Sequence, residues 1–195
     1  HNFDLTFRYE WNSSNIYGFI RKSSLENKGG QTLQINILDG IQNIMPDGVS
    51  SDLQNGTSIL VDAYKRNELD TNSGMGIFAL SAIIVDKAEP SEALKANIAY
   101  AIGLENPKYL VSSLQLDAFR KGSAVNQEED VKAERGAYFV NQQITLAPAD
   151  LKKWVIIADV NQSQANVVAL INDILKNPNL KKQIDADIEL GPNKL

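Results

Sequence analysis

No cysteine occurs among the 195 residues, which excludes disulfides, thiolate metal sites and cysteine nucleophiles while leaving the compartment open. Histidine occurs once, at His1, and one terminal imidazole builds neither a histidine metal site nor a Ser-His-Asp triad. The chain also lacks an Asp-x-Asp-x-Asp-Gly calcium loop, a Gly-x-Gly-x-x-Gly turn and a Walker sequence. No cofactor is therefore expected. Long apolar runs are missing as well: the stretch from Ile77 to Val85 is broken by Ser81 and falls short of the roughly 18 residues that cross a bilayer. A soluble chain is expected. Positive charge is in short supply, with 19 basic against 24 acidic side chains and a net charge of -5. That balance argues against nucleic acid or an anionic membrane as partner and favours a neutral polar ligand. The first residue is His1 rather than Met and no signal-peptide pattern follows, as expected of a fragment.

What is present is the composition of a folded protein, 43% hydrophobic and 22% charged, long enough to bury a sizeable core. From Asn2 to Trp11 the alternation is complete: Phe3, Leu5, Phe7, Tyr9 and Trp11 share one side, which predicts a strand with one buried face. Extended character resumes at Tyr17 to Arg21. After the Lys28-Gly29-Gly30 turn it returns through Leu33, Ile35 and Ile37, so a meander is expected. Asp39-Gly40 to Gly48 combines turn residues with aliphatics and predicts a structured loop. From Ser51 to Leu69 the spacing of Leu53, Leu60, Val61, Tyr64 and Leu69 approximates helical periodicity, although Asn55-Gly56 interrupts it.

Ile77 to Val85 is apolar on both parities, as for a strand covered on both faces, and Leu94 to Ile102 reads as its return partner. Tyr109 to Leu116 predicts another strand. Asp117 to Arg135 is polar and predicts an exposed loop ahead of strands at Ala137 to Leu146 and Trp154 to Val160. Beyond Asn161 the period changes: Val167, Leu170, Ile171, Ile174 and Leu175 form a helical stripe ended by Asn177-Pro178, with a second short helix from Asn179 to about Ile188. The expected architecture is mainly β: a large antiparallel β-sandwich over residues 1–160 with one inserted helix, then a helical linker over 161–195.

Five segments carry a family resemblance: Ile37 to Pro46, Val61 to Glu68, Ile84-Val85-Asp86, Pro90 to Ala96 and Leu114 to Gly122. In order and spacing this resembles the N-terminal domain of cellobiose-phosphorylase-type enzymes, glycoside hydrolase family 94 and its relatives, over roughly residues 10 to 190. The resemblance implies a mutarotase-like super-sandwich followed by a helical linker into an α/α barrel. It implies that the parent cleaves β-glucosides or gluco-oligosaccharides with inorganic phosphate as co-substrate, inverting the anomeric configuration, with an aspartate of the barrel as general acid. The catalytic barrel of the same chain is the implied partner, together with homodimer contacts. No catalytic residue carries over to these 195 positions.

Candidate contact residues follow from the same segments. Asp39, Gln42 and Asn43 have side chains able to bond sugar hydroxyls, against the plainer role of stabilising their own turn. Asp62, Lys65 and Arg66, read on the inserted helix, either pair at helical spacing or present charge to the barrel or a second subunit. Trp11 and Trp154 read as core. Glu128, Glu129, Asp130 and Glu134 read as solvated charge rather than a glycosidase acid pair. A free-standing carbohydrate-binding β-sandwich is the rival reading, motivated by Tyr9 and Trp11 on polar-flanked strands.

Overall fold

The period-two pattern of the first half and of residues 137–160 resolves into stacked antiparallel sheets. The computed structural model describes residues 4–56, 58–82 and 95–190, with the backbone alone at 58 and 59. Its strands are β1 (Leu5–Ser14), β2 (Gly18–Asn27), β3 (Leu33–Ile44), β4 (Lys65–Asp70), β5 (Met75–Leu80), β6 (Lys95–Ile102), β7 (Lys108–Ser112), β8 (Asp130–Lys132), β9 (Gly136–Leu146) and β10 (Leu151–Ser163). The helices are α1 (Ser51–Gly56), α2 (Ser58–Ala63), α3 (Leu116–Arg120), α4 (Gln164–Lys176) and α5 (Leu180–Leu190). Seven strands form one sheet in the order β1-β2-β10-β6-β5-β4-β8, and β3-β9-β7 form the other. The fold is a mainly β, two-sheet sandwich.

Between the sheets lies the main core, with Leu25, Phe78, Val111, Tyr138, Val140, Trp154 and Ile156 at its centre. A second apolar layer covers the other face of the large sheet. There Ile20, Ile98, Val155 and Ile157 meet Val167 of α4 and Leu180 and Ile184 of α5. The helical stripe of the tail therefore faces the sheet, with Leu175 alone left half exposed. Ser163 caps α4 by accepting a hydrogen bond from the Asn166 amide at 3.2 Å. Tyr138 joins the layers: its hydroxyl donates to the Gly74 carbonyl at 2.7 Å, in the turn between β4 and β5.

Several expectations need correction. The single inserted helix is instead two short helices, and Lys65 and Arg66 lie on β4 rather than on a helix. Helical spacing to Leu69 was coincidental, because from Lys65 onward burial alternates residue by residue and β4 is paired on both sides, with β5 and β8. Asp39, Gln42 and Asn43 lie on β3, paired with β9 along its length, rather than in a loop. The turn-forming residues are absorbed there. Gly40 lets the Tyr138 carbonyl approach to where a Cβ would stand, and Asn43 takes φ +58 at a bulge between Gln42 and Ile44.

Trp11 is not core: it is 53% exposed, because β1 is the last strand of the large sheet and Asp39 of β3 reaches only β2 and β10. Residues 117–135, expected as loop, contain most of α3 and all of β8. The strand expected to Val85 is described to Leu80, and Ile84-Val85-Asp86 and the Pro90 to Leu94 segment lie outside the described residues.

Candidate functional site

The densest polar cluster inside the sandwich gathers around Asp39. Odd-numbered positions of β3 point at the large sheet, so Asp39 enters the core among Ile35, Ile37 and Ile41. Three donors meet it: Arg21 Nη1 at 2.6 Å, Ser23 Oγ at 3.0 Å and Trp154 Nε1 at 2.7 Å. A carboxylate withdrawn from water is tolerated when its oxygens are this well occupied. Across the sheet from Arg21 lie Trp11 and Ile156, and across from Ser23 lie Tyr9 and Trp154, so these side chains share one face. The Arg21 guanidinium sits over the Tyr9 ring at 4.6 Å and near the Phe7 ring at 5.9 Å. Phe7 in turn stacks on Trp154 at 6.0 Å.

Outward from that buried pair runs an exposed aromatic row. Phe7 is 46% exposed, Tyr9 57% and Trp11 53%, whereas Trp154, one strand beyond β2, is 1% exposed. The row is a shelf: half-exposed aromatic rings, a fixed cation against the Tyr9 ring, and hydrogen-bonding groups at its inner end. Such a surface suits a ring with an apolar face and polar edges, or the apolar part of another protein surface.

A second cluster forms where α2 meets β4. The Lys65 side chain is 1% exposed and its Nζ donates to Asp62 Oδ1 at 2.7 Å and to Gln54 Oε1 at 2.5 Å. Burial pushes the Asp62 carboxyl up. The bonds from Lys65 and Gln54 and the charges of Lys65 and Arg135 outweigh that and hold it below the usual carboxylate range. This cluster is closed, and its chemistry is that of a latch between the α1–α2 corner and the sheet.

The six sequence candidates are thus dispersed. Asp39 works between the sheets, and Asp62 and Lys65 bind each other. Gln42 donates to Ser113 Oγ at 3.1 Å, Asn43 shapes the bulge, and Arg66 pairs with Asp130 at 3.2 Å and Glu68 at 3.0 Å on the exposed side of β4. Sequence reasoning missed Arg21, Ser23 and Glu128. The Glu128 carboxylate accepts from the Val111 and Ser112 amides, Ser112 Oγ and Gln115 Nε2 at 2.8–3.0 Å, pinning a polar segment read as solvated. The burial alternation of β2 would have placed Arg21 inside, but a lone cation among Ile20 and Lys22 carries no signal until its acid is known.

Among the described residues no three acidic or histidine side chains converge as metal ligands, and no helix is long and apolar enough to cross a membrane. No protein-family model matches the chain, and no curated protein matches it.

Proposed function

We propose that this chain is the non-catalytic N-terminal β-sandwich domain of a glycoside phosphorylase, which braces the catalytic barrel and the subunit interface while the barrel performs phosphorolysis. The observation that carries this reading is where the motif residues are spent. Asp39 fastens the sheets through Arg21, Ser23 and Trp154, and Asp62 fastens Lys65, so the segments resembling the family act in holding a scaffold. The aromatic shelf of β1 is the surface left over for a neighbour. Phosphorolysis of cello-oligosaccharides tests it directly. The longer parent chain should release a sugar 1-phosphate and the 195-residue chain should release none. Turnover by the 195 residues alone, or none by the parent, would overturn the proposal.

A second reading has its own observation. Aromatic rings lying open beside a cation are also how a β-sandwich grips a pyranose, so the shelf supports a free-standing carbohydrate-binding module. Calorimetric titration with the same oligosaccharides separates the two. Sub-millimolar binding by the isolated chain, lost in Trp11→Ala, favours the module; heat indistinguishable from dilution favours the brace.

A further inference from the structure

The face of β1, β2 and β10 opposite the aromatic shelf carries a row of side chains used neither by the core nor by the ion pairs. In the antiparallel register Arg8 stands across from Ser24, and Ser24 across from Lys153. Two cations therefore flank one hydroxyl, separated by two strand spacings of roughly 5 Å each. α5 adds Lys181 to the same open cleft, whose volume is about 850 Å³. The cleft's acids, Glu10 and Asp185, lie on the neighbouring row, and Asp185 is engaged there. Asp185 pairs with Lys22 at 2.8 Å, and Glu10 stands across from Lys22 in the register. Arg8, Lys153 and Lys181 form no ion pair among the described residues.

The helix adds to this. The first turn of α5 carries Lys181 and Lys182 and no acidic residue. A helix start is already electropositive, so lysines there repel the dipole instead of complementing it. In a chain of net charge -5, three cations without an ion pair among the described residues meet at one cleft, one of them at a helix start that disfavours it. A bound anion resolves that conflict.

We propose that this cleft binds the phosphate group of a small molecule, either inorganic phosphate or a phosphate monoester. Arg8 supplies the planar fork, Lys153 and Lys181 supply charge from two further sides, and the Ser24 hydroxyl donates between them. Glu10 and Asp185 at one side of the cleft repel an extended polyanion, which restricts the site to a compact anion. The site does not depend on the phosphorylase reading, and its assay contains no oligosaccharide.

Isothermal titration of the 195-residue protein with inorganic phosphate and with glycerol phosphate, at ionic strength held constant with chloride, tests the proposal. One saturable site is expected. Arg8→Gln, Lys153→Gln and Lys181→Gln should each weaken it by about fivefold or more, as loss of a charge-assisted bond requires. Lys121→Gln, exposed beyond α3, should leave it unchanged. Tighter binding of glycerol phosphate identifies an organic phosphate, and equal binding identifies the free ion. A second measurement guards against misfolding: phosphate should raise the thermal midpoint of the unsubstituted 195-residue protein and not of the triple variant. Heat no greater than the chloride blank, undiminished binding by the triple variant, or binding of heparin without binding of either small phosphate would overturn it.

Discussion

At the scale of single residues, two cations, Arg21 and Lys65, are buried and held by acids. Lys65 is the sharpest case, an ammonium closed off from water and held by Asp62 and Gln54. Removing the charge of its acid leaves a buried cation without compensation, which is the expensive way to break an ion pair. Asp62→Asn is expected to lower stability at pH 7 by about 2 kcal/mol, within the range for hydrogen bonds to charged groups. The folded-state pKa of Asp62 is lowered, so its contribution is fully present above the unfolded value of about 3.9 and is lost as pH falls through the folded value. Urea denaturation of both proteins from pH 7 to pH 3 should therefore show the gap closing below about pH 4. A gap that stayed constant over that range would mean that the carboxylate charge is irrelevant to the latch.

At the scale of elements, turns and bulges decide where strands can pass one another. Gly74, at φ +73 between β4 and β5, receives the Tyr138 hydroxyl on its carbonyl, and a Cβ there would stand 2.3 Å from the Tyr109 ring and hydroxyl. Gly48 has φ +79 and nothing within 4 Å of the same position. Gly48→Ala should thus cost only the backbone strain, about 1 kcal/mol, whereas Gly74→Ala adds a clash and should cost about 2–4 kcal/mol. Equal losses in thermal melts would show that Tyr109 moves aside freely. This level is also where the sequence was least legible. Alternation and aliphatic stripes exposed most strands and both tail helices, because those patterns depend only on which face is dry. β4 looks helical because Leu53, Leu60, Val61, Tyr64 and Leu69 approximate helical spacing and Asp62 precedes Lys65 by about a turn, yet that pair spans the end of α2 and the start of a strand. β3 was cut short at Asp39-Gly40, since a buried acid and a glycine look like a turn until Arg21 and the Tyr138 carbonyl are opposite them. The aromatic face of β1 had the right period, but periodicity cannot tell a covered edge strand from an uncovered one.

At the scale of the whole molecule, seven strands are covered by three on one side, and the overhang is β1. Exposed Phe7, Tyr9 and Trp11 on a strand with one side unpaired among the described residues are a surface prone to self-pairing. Light scattering should show the average mass of this chain rising with concentration, and Tyr9→Thr combined with Trp11→Thr should flatten that rise. A monomer at every concentration tested would mean that the shelf is too well solvated to attract a neighbour. The order β1-β2-β10-β6 has another result, this one in time. The β1–β2 hairpin must lie beside a strand that begins at Leu151, so β2 keeps an open side until β10 has been made. Nascent chains that stop short of Leu151 are therefore expected to bind a holdase chaperone, and chains long enough to expose β10 to release it.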